Sequence, residues 1–360
     1  MRILVDIGHP GHVHLFRNAI KSLLARGHFV VITIRDRQLV GELLQQYGLE
    51  FEIASRVRTS FAGLIWELFE HDWNVLRATV QHKIDLLIGT SVCITQVGFV
   101  TRTPSLVFNE DDRDYLHAWA WLAYPFATGI VTPQCLRDVK TAKYICHNSL
   151  HELAYLHPEH FTPDPRVLDR LGVSPGDRFF IIRFVALQAH HDFKHRGLSL
   201  DARRRLVNLL VQHGRVFITN EGTMPEEFER YRFSISASDM HHAMSFATLF
   251  VGDSQTMTVE AAVLGTPSAR CNTFHDRCSI ISELEHRYGL TVSFHPDNED
   301  RMLATIEEWL SQPDLKDRWL ARRDRLLNDK HNLATWMVGL LESLEVTPGN
   351  LQVPPPDATR

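Results

Sequence analysis

The chain has 360 residues, 44% of them apolar and 22% charged, which is enough to bury cores for about two domains and rules out a disordered chain or a coiled coil. Its 38 basic and 43 acidic residues leave a formal charge of −5, so no global positive field exists to gather nucleic-acid phosphates. Five cysteines without a CxxC pair argue against a disulfide framework and a thiolate zinc site, and the opening MRILVDIG reads as a strand rather than an export leader, which together point to the cytoplasm.

In chain order, residues 2–7 predict a strand, 14–26 a helix closed by Gly27, 29–34 a second strand and 37–47 a helix closed by Gly48. Residues 51–54 predict a third strand and 61–82 an aromatic-rich helix. The continuously apolar runs 85–89 and 105–109 predict strands that a parallel sheet buries on both faces. Short strands follow at 130–132 and 144–146, and the prolines gathered in 157–177 mark a domain boundary. The second half repeats the rhythm, with strands at 179–184, 216–219, 249–252, 268–271 and 291–294 and helices at 200–213, 225–230, 239–247, 256–264 and 280–288. Residues 297–310 and 314–344 read as helices and 345–360 as a disordered tail. No stretch is long and apolar enough to span a membrane. The expected fold is α/β: two doubly wound Rossmann-like domains, 1–165 and 172–330, with 331–344 packing back on the first. Their sheets would present their C-terminal ends to a shared cleft.

Two loops carry the chemistry. GHPGHVH, after the first strand, turns on glycines at the start of a helix and places His9, His12 and His14 within six residues. His9 and His12 are candidates for acid, base or substrate contacts, with helix capping as the plain alternative. No acidic or cysteine ligand nearby completes a zinc site, so no metal is expected. The second loop, GDSQTMT, opens another helix and supplies hydroxyls and amides at its positive end, making Ser254 and Thr256 phosphate candidates. Glu260 lies four residues beyond Thr256 on the same helix face, where a carboxylate accepts ribose hydroxyls. Arg183 and His191, in a basic and imidazole-rich stretch after a strand, are candidates to offset diphosphate charge. Glu110 and Asp111 follow another strand, placed to orient an acceptor hydroxyl or support a histidine, with an acidic cluster at a helix N-terminus as the plain alternative, and Glu221 is a candidate sugar contact. Trp66, Trp73, Trp119 and Trp121, with Phe61 and Phe69, read mostly as packing, with a groove for an acceptor sugar or lipid carrier as the functional alternative.

The segment GDSQTMTVEAAVLGTP, 252–267, resembles the sugar-nucleotide segment of GT-B glycosyltransferases of the MurG type and of UDP-N-acetylglucosamine 2-epimerases. Gly11, His12 and Val13 are similar to the end of the MurG-type acceptor loop. The resemblance implies that Ser254, Gln255 and Thr256 contact diphosphate or sugar, that Glu260 holds the ribose, that 233–242 forms the base pocket, and that His12 is the general base. More specifically, DIGHPGHVHLF, RFVALQAHHDFKHRGLS, FITNEG and the 252–267 segment resemble the DUF354 family over nearly the whole ordered length, which implies a GT-B-like fold. The run from Arg183 through Gln188, His190, His191, Asp192 and Lys194 departs from both better-known relatives.

The expected function is a metal-independent glycosyltransferase, without a cofactor, that uses a nucleotide-diphosphate sugar, by analogy UDP-linked, and a glycan or lipid-linked acceptor. A peripheral contact with the inner face of the membrane and a homodimer are compatible with it. The alternatives are a nucleotide-sugar 2-epimerase, with His191, Glu221 and Glu110 as acid and base groups, and a non-catalytic nucleotide-sugar binder.

Overall fold

The structure, a computed structural model, describes residues 1–112, 122–137, 141–184, 197–220, 224–233, 236–273 and 277–352. The chain divides into two compact units, Met1–Tyr155 with His331–Arg360, and Leu156–Lys330.

The first unit runs β1 (Arg2–Ile7), α1 (Pro10–Ala25), β2 (Phe29–Asp36), α2 (Gln38–Gln46), β3 (Glu52–Arg56), α3 (Phe61–Gln81), β4 (Leu86–Gly89), α4 (Cys93–Thr101), β5 (Ser105–Phe108), β6 (Gly129–Pro133) and β7 (Tyr144–His147). Its seven strands are parallel in the order β3-β2-β1-β4-β5-β6-β7. The strands are short and apolar because both faces of a parallel sheet are covered, and Leu4, Leu87 and Val107 are fully buried. Helix α1 begins with Pro10 in its first turn, where the missing N–H costs nothing, and buries Val13, Phe16, Ala19, Ile20 and Leu23 at helical spacing. Helix α3 is capped by Ser60, whose hydroxyl accepts from the Gly63 amide at 3.0 Å.

The second unit runs α5 (Arg166–Leu171), β8 (Phe179–Phe184), α6 (Leu200–Val211), β9 (Arg215–Asn220), α7 (Met240–Phe246), β10 (Leu249–Gly252), α8 (Gln255–Val263), β11 (Ser268–Cys271), α9 (Ser279–Glu283), β12 (Thr291–Phe294), α10 (Glu299–Leu310) and α11 (Leu315–Asp329). Its five strands are parallel in the order β12-β11-β10-β8-β9.

Three expectations need correction. The proline-bearing stretch 157–177 belongs to the second unit, which begins at Leu156; its prolines flank α5. The single helix expected over 314–344 is two, α11 and α12 (Leu333–Ser343). Asn332 restarts the chain as a cap, its Oδ1 accepting from the Ala334 and Thr335 amides at 3.0 and 3.2 Å, where the polypeptide passes back to the first unit. There α12 packs against α1 and the 3₁₀ turn His151–Ala154. The expected tail is in part a hairpin: β13 (Glu345–Thr347) pairs antiparallel with β14 (Asn350–Gln352) around Gly349, whose φ of +74° suits only glycine readily.

Gly89 lies opposite Asp6 in the β1–β4 ladder, and a Cβ there would sit 2.8 Å from the Asp6 carbonyl oxygen. Gly89→Ala is therefore expected to destabilise the protein by about 1–3 kcal/mol in urea unfolding, and unchanged stability would contradict this close approach of β1 and β4.

Candidate functional site

Because every strand of the first unit points the same way, the residues ending β1, β2, β3 and β4 meet at one edge of the sheet. Asp6 interrupts the apolar β1 there. It pairs in register with Thr33 on β2 and Gly89 on β4, and it is almost wholly buried. Its carboxylate accepts from Thr33 Oγ1 at 2.8 Å, Ser91 Oγ at 2.6 Å and His71 Nε2 at 3.0 and 3.2 Å. The other nitrogen of His71, Nδ1, lies 2.8 Å from Ser55 Oγ on β3. Burial alone would raise the Asp6 carboxyl, but His71 and the hydroxyl donors outweigh it and hold Asp6 below its ordinary 3.8. Burial also opposes a charged His71, and Asp6 outweighs it in turn, raising the imidazole above 6.5. Alongside, Arg35 pairs with Glu67, which also accepts from the Arg58 amide at 2.8 Å.

These groups border a cavity of about 400 Å³ whose lining also includes Gly8, His9, His12, Arg37, Thr90 and the apolar Leu64, Leu68 and Leu122. His9 caps α1, its Nδ1 accepting from the Gly11 amide at 3.2 Å. The His12 ring lies 5.7 Å from that of His9, with Nδ1 2.8 Å from Thr90 Oγ1. Burial first, then the neighbouring His9 and His151, push His12 down to about 3. A shift in this direction favours a neutral imidazole and weighs against the general-base role expected of His12, since effective bases have pKa values near the working pH. Glu110 lies beside His151, with Oε2 3.1 Å from Nδ1. Burial and the adjacent Glu110 raise Asp111 to about 6.

The aromatic residues of α3 correct the packing expectation. The inward stripe is Glu67, His71, Val75 and Ala78, all buried at helical spacing. Trp66, Phe69 and Trp73 point outward and are 62%, 70% and 67% exposed. With Val97 and Val100 of α4 they line a groove of about 750 Å³. Asp72 and Gln96 line both this groove and the cavity, so the two adjoin at these residues. Trp119 and Trp121 lie outside the described residues, as does the side chain of Phe61.

In the second unit Ser254 caps α8, its hydroxyl accepting from the Met257 amide at 3.4 Å. A hydroxyl used this way keeps its own proton to donate, and the amides of Gln255 and Thr256 have no carbonyl one turn back to bond. Thr256 is exposed at this end. Glu260, one turn on, is buried and receives a 2.8 Å hydrogen bond from His241 Nε2, which orients its carboxylate. Arg183 near the end of β8 donates from Nη1 to Thr219 Oγ1 at 3.3 Å. His242 Nδ1 accepts from the Asp164 amide at 3.0 Å and serves structure. His191 and Glu221 lie outside the described residues. Among the described residues no three His, Cys, Asp or Glu side chains group to hold a metal ion, and no helix is long and apolar enough to cross a membrane.

Residue-by-residue reading missed Asp6, His71, Ser55, Ser91 and Thr33. The available signal was the lone carboxylate in RILVDI, since a charge in a buried strand requires partners; which partners depends on the fold.

Residues 1–277 match the family model described as "Protein of unknown function (DUF354)". No curated protein matches the chain. Among solved structures, UDP-GlcNAc 2-epimerase from Neisseria meningitidis bound to UDP-GlcNAc has a TM-score of 0.66 at 10% identity, over 93% of this chain and 96% of that one. Glycosyltransferase VinC in complex with dTDP has 0.61 at 13% identity, over 95% and 99%. Spinosyn rhamnosyltransferase SpnG complexed with spinosyn aglycone has 0.60 at 14%, over 95% and 100%. At these identities the likeness establishes the fold, which is GT-B.

The Asp6 and His71 shifts define a pH window. A lowered carboxylate contributes stability above its unfolded value of 3.8, and a raised histidine contributes fully below its unfolded value of 6.5, losing it as pH rises through its folded pKa. Asp6→Asn is expected to cost about 3–5 kcal/mol around pH 5 and distinctly less at pH 9; a gap independent of pH would show that the two are not a charged pair. In NMR titration, His12 should show no protonation step between pH 5 and 8, against a midpoint near 6.5 for an ordinary imidazole.

Proposed function

Since this chain belongs to the DUF354 family, whose description assigns no activity, we propose from its own sites that it transfers a sugar from a nucleoside-diphosphate sugar to an acceptor seated in the cavity of the first unit. The observation that carries this reading is that the polar cavity adjoins the apolar groove of Trp66, Phe69 and Trp73, the two sharing Asp72 and Gln96 in their walls. Rearranging a donor alone needs no second, amphipathic site. A head group in the cavity and a hydrocarbon chain along the groove describe a lipid-linked acceptor, presented at the inner face of the membrane, better than a free glycan.

The donor belongs to the start of α8. Gln255 and Thr256 amides and the Ser254 and Thr256 hydroxyls face the diphosphate at a positive helix end, with Arg183 offsetting further charge. Glu260, aligned by His241, accepts from the ribose hydroxyls. As the glycosidic bond to phosphate breaks, this end stabilises the negative charge collecting on the departing nucleotide without requiring a metal ion. UDP-GlcNAc in the Neisseria epimerase, dTDP in VinC and an aglycone in SpnG support a nucleotide donor and a separate acceptor in this fold. His12, neutral and bonded to Thr90, orients the acceptor hydroxyl.

A 2-epimerase is the second reading, favoured by the Neisseria enzyme's TM-score, which exceeds those of the two transferases. Calorimetric titration with UDP-, GDP- and dTDP-sugars, followed by analysis of the sugar, separates the two. Transfer predicts that one donor binds and is recovered unchanged, whereas an epimerised sugar establishes the second reading. Glu260→Gln is expected to weaken that donor by about 1–3 kcal/mol, and unchanged affinity removes Glu260 from the site.

A further inference from the structure

Glycosyl transfer needs a group to receive the acceptor's proton, and the histidines of the glycine loop are ill placed for it. His12 is a weak acceptor, and His9 spends Nδ1 on the Gly11 amide. We propose that Ser55, His71 and Asp6 form the proton relay of the first-unit cavity. Ser55 Oγ takes the proton of the acceptor hydroxyl while passing its own to His71 Nδ1, and Asp6 holds the opposite nitrogen. The proposal rests on the transferase reading for its reaction but on separate residues for its geometry.

The three side chains stand in line, Ser55 Oγ to His71 Nδ1 at 2.8 Å and His71 Nε2 to Asp6 Oδ1 at 3.0 Å, and all three line the cavity. Ser55 is turned there by an irregularity: the β2–β3 register shifts between Ile34 and Arg35, so that Arg35 pairs with Ser55 although Ile34 pairs with Ile53. Ala54 and Ser55 are consequently both buried, where a regular strand would alternate. Asp6 is fixed by Thr33 on β2 and Ser91 just after β4, so it aligns the imidazole with little freedom to turn. An apolar cluster would have stabilised this sheet edge equally well. The polar network instead lines the cavity that the proposed function gives to the acceptor.

The step balances. The bond from the anomeric carbon to the diphosphate breaks, its electron pair leaving with the nucleotide; the acceptor oxygen bonds the anomeric carbon; the proton ends on His71, an imidazolium facing the Asp6 carboxylate. The relay works with His71 neutral, so it weakens as pH falls below the raised pKa of that histidine. Among the described residues, the charged groups acting on His71 are Asp6 from β1, Arg35 from β2, and Glu67 and Asp72 on its own helix; Cys93 from α4, whose thiol burial keeps protonated, lies beside Asp6 and Asp72.

A serine whose proton is drawn off in this way is nucleophilic, which gives a test independent of any donor or acceptor. The full-length protein is treated with methanesulfonyl fluoride and analysed by peptide mass spectrometry; Ser55 Oγ displaces fluoride, and the hydroxyl proton passes to His71. The expected result is modification at Ser55, accelerating with pH through the His71 titration seen by NMR and slowed about 100-fold or more in His71→Gln. The pH profile is read on the unmodified chain, so it stands even if the variant folds poorly. An unmodified Ser55, or a rate indifferent to both pH and His71, overturns the relay. Modification of Ser55 in a protein that binds no nucleotide sugar would leave the relay standing and remove glycosyl transfer.

Discussion

A carboxylate buried in an interior strand of a parallel sheet constrains everything around it. Asp6 cannot remain charged there without donors, and it draws them from four elements: Thr33 on β2, Ser91 after β4, His71 on α3 and, through His71, Ser55 on β3. Each bond also fixes the position of its element. Gly89 lets β4 approach the Asp6 backbone, and the register shift between β2 and β3 turns Ser55 inward. The same contacts that stabilise the sheet edge thus shape the floor of a cavity.

Helix α3 divides its labour between two faces. The inner stripe carries Glu67 and His71 to the cavity before giving way to Val75 and Ala78 against the core. The outer stripe exposes Trp66, Phe69 and Trp73, a patch too apolar to leave bare in water without a use. The cavity and the groove adjoin at Asp72 and Gln96, so the two faces of the helix meet there.

The second unit handles charge differently. Its site relies on backbone amides at the end of α8 and on one carboxylate, Glu260, aligned by His241. Unpaired amides at a helix start suit an anion and do not themselves move a proton. Proton chemistry is concentrated in the first unit, where opposing pulls of burial and charge separate the histidines: His12 is driven toward neutrality and His71 toward charge. Residues three positions apart in a loop, such as His9 and His12, look alike in sequence and differ only in what surrounds them.

Most of the architecture was legible in the sequence because it depends on local rules. Apolar runs such as LLIG and SLVF mark strands buried on both faces, helical periodicity marks α1, and glycine loops after strands mark where a doubly wound sheet binds ligands. The helix start at Ser254 was legible for the same reason, as was the face that Thr256 and Glu260 share four residues apart. The break between α11 and α12 was missed because Asn332 caps a helix only where the chain turns back to the first unit. Nor could local rules join Asp6 to a histidine 65 residues away or turn the tryptophans of α3 outward. Those outcomes follow from strand order and register, which decide the neighbours that compensate a buried charge and the helix face left for solvent.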